Sequence, residues 1–251
     1  VMTITFFVMH FVPGGPFASE KAVTPAVQAA LEAKYGLDKP LMEQYWSYLS
    51  DIITKFDFGP SLKSRGRMVI DIITDGLKTS AKLGVIAALW ATIVGVVLGA
   101  IAALKRGSVA DSIIMVISTA FVSMPSFIMG SLLLLVFAVA LHIFPANGET
   151  AKGLVLPIIT LGLSPMAHII RLTRSSMLDV LGQDYIRTAR AKGVAPVKII
   201  FGHALKNALI PVITYIGPML AYIVTGSLVV EQIFAVPGIG RAFVKSIINR
   251  D

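Results

Sequence analysis

The residues that could do chemistry are few and scattered. The histidines are His10, His142, His168 and His203. None forms an HExxH motif, and no two share metal-ligand spacing. A lone histidine at the end of an apolar run reads as an interfacial or packed residue. The chain has no cysteine, so thiolate catalysis, disulfides and Cys-ligated metals are excluded. Ser131 and Ser227 each follow a glycine, but neither sits in the GxSxG turn of a serine hydrolase. No Walker A loop is present to cradle a nucleotide phosphate, and no TVGYG filter to conduct an ion. These residues describe no enzyme and no cofactor or metal site.

Composition points to a different kind of work. The 251 residues are 55% hydrophobic and 14% charged, with mean hydropathy +0.80. Soluble domains carry about 25% charged residues, so the shortfall places part of this chain in lipid. The net charge of +8 does not form a nucleic-acid stripe. Most of it falls in residues 171–207, where seven Lys/Arg face only Asp179 and Asp184. A basic stretch between apolar runs is what the positive-inside rule makes of a cytoplasmic loop.

The elements that must position these groups are apolar runs. Leu83 to Leu104 is bounded by Lys82 and Lys105. At about 1.5 Å per residue it spans a bilayer core of roughly 30 Å. The uncharged run 112–148 reads as a helix to Leu141, then a turn around Phe144 to Gly148. Residues 153–170 extend to Met177 if Arg171 and Arg174 face protein or snorkel. Residues 207–230 make a further run. Val1 to Val12 is apolar but short, and reads as the outer part of a first span entering from the cytoplasmic side. The expectation is an all-α polytopic membrane protein with five hydrophobic segments, the first incomplete.

Short-loop charge orients them. The loops at 105–111 and 178–206 belong in the cytoplasm, the neutral turn 142–156 outside, and residues 13–78 outside as a small subdomain. Within that subdomain Thr24, Pro25 and Gly36 bound one predicted helix, and a second begins near Pro40. Its Tyr45, Trp46 and Tyr48 suit either a membrane interface or a packed core. Gly95 and Gly99 make a GxxxG packing signal. Pro125, Pro157, Pro165, Pro211 and Pro218 interrupt or bound helices. Ser118, Thr119, Ser123, Ser126, Thr214, Thr225 and Ser227 are small polar residues in the spans, suited to a translocation path or to helix packing. No Asp or Glu lies inside a proposed span, Glu231 sitting at an end. That weighs against an ion-coupled secondary transporter, and it leaves a transporter architecture without an energy source.

The informative segment is Asp184-Tyr185-Ile186-Arg187-Thr188-Ala189-Arg190-Ala191-Lys192-Gly193. It reads as a short amphipathic helix stopped by Gly193, with a second helix from Pro196. By itself this suits a membrane-surface helix. With His203-Ala204-Leu205-Lys206-Asn207-Ala208-Leu209-Ile210-Pro211, it resembles the EAA loop of ABC importer permeases in their peptide-transporter form. Arg187 stands where the general consensus has Glu. Val12-Pro13-Gly14-Gly15-Pro16, Tyr35 to Pro40, Asp57-Phe58-Gly59-Pro60-Ser61 and Glu231 to Gly240 resemble further segments of that family, in order along nearly the whole chain.

The resemblance implies the type I permease fold with six helices, the start of the first and all of the sixth lying outside these 251 residues. It implies that residues 178–207 form the cytoplasmic coupling loop, with Asp184, Tyr185, Arg187, Thr188, Ala189, Arg190, Ala191, Lys192 and Gly193 docking on an ATPase. It implies an outer loop with Phe234, Pro237, Gly238 and Gly240 toward an extracytoplasmic peptide-binding protein. The implied partners are a homologous second permease and two ATP-binding subunits, which hold ATP and magnesium. The implied location is the bacterial inner membrane, and the implied function is import of oligopeptides or dipeptides. Nickel chelates and glutathione are the substrates of relatives sharing the pattern.

Overall fold

The computed structural model describes residues 2–11, 36, 38–61, 63–64, 66–225 and 227–249. The predicted helix from Thr24 and the segment Val12 to Pro16 lie outside them; Gly36 is in a turn at φ +67°. Among the described residues the regular structure is helical, apart from one isolated bridge between Pro60 and Met68. The chain divides into two compact units. One holds Val1–Gly76 and Ala242–Asp251, the other Leu77–Arg241.

In the first unit, α1 (Met2–Phe11) and α2 (Leu41–Lys55) meet through aromatic rings. Phe6 and Phe7 each lie 5.4 Å from the Tyr45 ring, and Phe6 lies 5.7 Å from Tyr48. Such pairs add to the apolar area they bury. Tyr45 and Tyr48 thus pack, while Trp46 stays 60% exposed. Ten residues give α1 a length of about 15 Å, half of what a bilayer core needs.

The second unit is built around long helices, the first of which begins in the first unit. α3 (Val69–Leu104) has 36 residues and begins well before Leu83, where the uncharged run starts. Asp71 suits the first turn of a helix and Lys78 and Lys82 are good helix formers, so counting charges marks the apolar stretch and not the helix. The run 112–148, read as one helix to Leu141, is two. α4 (Val109–Ser123) and α5 (Ser126–Ala140) are bent by 106°. The cause is Pro125, which drives Met124 out of the α region to φ −84°, ψ 127°. The second half of α5 takes π geometry from Leu134 to Ala140.

α6 (Val155–Leu181) is central: α4, α5 and α8 (Pro196–Val224) all lie against it. Pro157 falls in its first turn, where no amide is needed, and Pro165 falls inside. α3 reaches α6 through the GxxxG pair. A Cβ on Gly95 would lie 2.7 Å from Ile169 Cγ2, and one on Gly99 would lie 2.6 Å from the Ile170 carbonyl oxygen. Only hydrogen fits at either position. Trp90 of α3 lies over Gly162, its Nε1 donating to the Ile158 carbonyl at 3.1 Å.

α8 takes π geometry over Ile199–Leu205 and carries Pro211 and Pro218 in its interior. The apolar run 207–230 is therefore not one helix: α8 starts at Pro196 and stops at Val224. Two shorter helices follow, α9 (Leu228–Ile233) and α10 (Ile239–Asn249). Among the described residues α3, α6 and α8 are each long and apolar enough to cross a membrane, and the bent pair α4–α5 makes a fourth if counted as one. This is a multi-pass membrane protein.

Candidate functional site

Between α6 and α8 lies α7 (Asp184–Ala191), eight residues long. A helix this short is unstable alone, so its surroundings must hold it. Ile186 supplies the anchor. It is fully buried in a cluster with Ala103, Met177, Ile199, Ala204 and Ala208, with Ala189 and Val194 packed at its edge. The cluster joins α7 to the ends of α3 and α6 and to the start of α8. Tyr185 adds a polar tie, its hydroxyl accepting from Asn207 Nδ2 at 3.1 Å.

The end of α7 is a Schellman motif. The Val194 amide donates to Ala189 O at 3.1 Å and the Gly193 amide to Arg190 O at 3.0 Å. The turn needs a left-handed residue, and Gly193 sits at φ +75°. Val194 and Ala189 both pack on the anchor cluster, on either side of the cap. Most of the other predicted docking residues are exposed, namely Asp184, Tyr185, Arg187, Thr188, Arg190, Ala191 and Lys192, while Ala189 is half-buried against the anchor cluster. The Arg187–Asp184 pair spans 3.4 Å between freely exposed side chains, and holds neither firmly. The result is a braced helix presenting three cations and two short polar or aromatic side chains to its surroundings.

A part-buried ion pair ties α6 to α4. Arg174 of α6 donates from Nε and an Nη to the two oxygens of Asp111 at 2.7 and 2.8 Å. Asp111 also accepts from the Gly107 amide at 3.0 Å, which closes the Lys105–Ser108 turn. The sequence leaves Arg174 either facing protein or snorkelling, and it faces protein. Its actual partner was legible only as a charge at the edge of a loop.

The small polar residues separate into two sets. Ser123, Ser126, Thr214 and Thr225 are exposed, as is Thr119. Ser118 is fully buried, its hydroxyl returned to Ile114 O. Ser227 caps α9 by accepting from the Val230 amide. Helix packing and capping explain those two.

The residues that the resemblance places in an outer loop are mostly internal. Phe234 is fully buried against Ala138, Leu156, Val230 and Val236, and its carbonyl accepts from Gly148 N at 2.6 Å. Gly238 and Gly240 are buried because they lie against Glu231, and Pro237 alone of the four is exposed. Glu231 is the residue that sequence reading passed over as a span end. It is fully buried, accepting from Ser80 Oγ at 2.6 Å and from the Arg241 amide at 3.2 Å. Ser80 Oγ accepts in turn from the Ile239 amide at 2.9 Å. The spacing Glu-x6-Gly-x-Gly was the available signal: bare glycines let the backbone fold over a carboxylate. Among the described residues no group of three or more His, Asp or Glu side chains could hold a metal ion.

Residues 95–251 match the family described as binding-protein-dependent transport system inner membrane component, and residues 1–83 match its N-terminal part. The dipeptide transport system permease protein DppB of Bacillus subtilis (strain 168) is 51% identical over 252 residues, covering 100% of this chain and 82% of its own. The oligopeptide transport system permease protein OppB of Salmonella typhimurium is 46% identical over 254 residues, covering 100% and 83%. Among solved structures, a chain of the MetNI methionine ABC transporter superposes with a TM-score of 0.56 at 19% identity, covering 70% of this chain and 81% of that one. That likeness concerns the fold. The extent of the sequence matches settles the family: this chain belongs to the binding-protein-dependent transport system inner membrane components.

Proposed function

We propose that this chain is a permease subunit of an ATP-driven importer of peptides in a bacterial inner membrane. The observation that carries the reading is α7. It is an exposed basic helix braced by Ile186 and closed by Gly193, in a chain with relatives named dipeptide and oligopeptide permeases. The chain pairs with a homologous permease to enclose the path. Two ATPase subunits bind ATP and magnesium, and an extracytoplasmic binding protein delivers the peptide. The chain itself performs no hydrolysis.

In this reading α7 and the 105–111 turn face the cytoplasm, and residues 13–78 and the 142–156 turn face outward. ATP binding closes the ATPases, and α7 carries that closure into the membrane. Its anchor cluster includes residues of α3, α6 and α8, and close-packed interiors transmit displacement without absorbing it. Exposed Ser123, Ser126, Thr214 and Thr225 line the path. Weak polar contacts of this sort suit cargo that varies in side chain.

The test is reconstitution of the full complex in liposomes. Uptake of tri-alanine that needs both ATP and the binding protein is expected. A stable complex that hydrolyses ATP and ignores peptides would overturn the substrate, and absence of any ATPase from the complex would overturn the coupling role.

A further inference from the structure

A cavity of about 440 Å³ lies where the ends of α3 and α6 meet α7 and the start of α8. Ala103 and Leu104 at the end of α3, Leu181 at the end of α6, and Ile199 and Ile200 of α8 line it, together with Arg190 of α7. Its side chains are aliphatic apart from that one guanidinium. Ala103 and Ile199 also belong to the cluster that anchors α7, so the cavity adjoins the anchor. Leu104 is 45% exposed, which leaves the apolar wall open on one side. The volume falls within the range of about 300–1,000 Å³ that takes small molecules.

Arg190 stands four residues after Ile186, so the two share one face of α7. Asp184, Thr188 and Ala191, at i, i+4 and i+7, fall on the opposite face. Of the three cations on this helix, Arg190 alone follows the anchor inward, away from the face left free for docking. Among the described residues no carboxylate pairs with Arg190, nor with Lys105 and Lys198, the exposed neighbours in sequence of Leu104 and Ile199. The level of the cavity follows from α3. Its apolar run ends at Leu104 and Lys105 comes next, so the cavity sits where hydrocarbon gives way to headgroups, on the side that the basic loops place in the cytoplasm.

We infer that this cavity holds an anionic phospholipid of the cytoplasmic leaflet, its acyl chain against Leu104, Leu181 and Ile200 and its phosphate on Arg190. The inference rests on the reading that puts α7 in the cytoplasm, and goes beyond it by naming a ligand. An aliphatic wall calls for an apolar occupant, and an unpaired cation at its edge calls for an anion. A phospholipid supplies both at this level of the membrane, and basic pockets at the cytoplasmic ends of spans select anionic headgroups. The guanidinium fork meets a phosphate in two bonds. Free phosphate would use Arg190 and leave the aliphatic wall wet. An apolar side chain of a docked ATPase would fill the wall and leave the cation unpaired. The lipid touches α7 and the ends of α3 and α6 together, beside the cluster through which α7 acts on them.

The experiment uses the assembled complex of both permeases and both ATPases in phosphatidylcholine vesicles. The probes are phosphatidylglycerol and phosphatidylcholine, each with a diazirine on the acyl chain and each added as a trace, with the photo-cross-links mapped along this chain. Phosphatidylglycerol is expected to label Leu104, Leu181 and residues 194–200 about fivefold more than phosphatidylcholine does, the worth of one cation at an anionic headgroup. Arg190→Gln is expected to level the two lipids. Lys192→Gln removes an equal charge from another face of α7 and is expected to keep the preference. Equal labelling by both lipids in the unaltered complex overturns the inference, as does absence of labelling at these residues, the latter in favour of an ATPase filling the cavity; neither result depends on a variant folding. An unchanged preference in Arg190→Gln, or an equal fall in Lys192→Gln, overturns it in favour of diffuse attraction to a basic surface. Tri-alanine uptake by the same vesicles with binding protein added is the separate check on the permease reading.

Discussion

Gly193 can be replaced in a way that separates the backbone of the coupling helix from its partner. Gly193 has φ +75°, and a Cβ built there meets no heavy atom within 4 Å. Any L-residue therefore pays the left-handed cost of about 1–2 kcal/mol and no steric cost within this chain. Alanine and tryptophan carry the same backbone penalty, and asparagine carries less. A shift of that size disfavours the capped turn by about 5- to 30-fold, which matters because α7 is too short to stand alone. Gly193→Ala is expected to lower peptide uptake several-fold in liposomes, and Gly193→Asn to recover most of it. Gly193→Trp is expected to abolish uptake while membrane insertion stays normal, because an indole projecting from this turn meets only what docks there. The reasoning is refuted if tryptophan and alanine give the same uptake at equal insertion.

Three other substitutions follow from close contacts. Gly99→Leu drives a side chain against the Ile170 carbonyl and Thr173; overpacking of about 1–3 kcal/mol should lower the thermal unfolding midpoint, and an unchanged midpoint would deny the α3–α6 contact. Glu231→Ala leaves the Ser80 hydroxyl and the Arg241 amide without their acceptor, at about 1–3 kcal/mol for each orphaned group. Hydrogen exchange across residues 228–241 should quicken, and equal protection would mean that the carboxylate does not hold this loop. Ala235 sits at φ +52° in a Schellman turn, the Val236 amide bonding to Glu231 O at 2.9 Å. Ala235→Gly should raise the unfolding midpoint by relieving about 1 kcal/mol, and a lower midpoint would contradict the strain.

The parts legible in the sequence are those in which one residue type has one use. Gly95 and Gly99 announced a close helix contact and occupy one. Gly193 announced a left-handed stop, and the Schellman bonds close on it. Apolar runs located the membrane helices, but their ends misled. Asp71, Lys78 and Lys82 interrupt the hydropathy of α3 without interrupting its backbone. Pro125 was visible as a breaker, yet nothing local says that the second helix turns through 106° and does not merely kink. Pairings between distant residues were least legible. Asp111 lies 63 positions from Arg174, and Ser80 lies 151 from Glu231. A carboxylate at the edge of a run reads as solvated until the fold brings its partner. The resemblance put Phe234, Pro237, Gly238 and Gly240 in one outer loop; burial separates them, Pro237 being exposed and the other three buried.

The central claim is that α7 is the surface that meets an ATPase. The chain has no cysteine, so one introduced thiol reports alone. Thr188→Cys places it on the exposed face of α7, and Ser175→Cys places a control at an exposed position of α6. In the assembled complex, a bifunctional thiol–amine reagent should join Cys at 188 to the ATP-binding subunit, with a yield that changes on ATP binding. The control should give no such product. A cross-link from position 188 to the binding protein, or none to the ATPase in a complex that transports, would contradict the account.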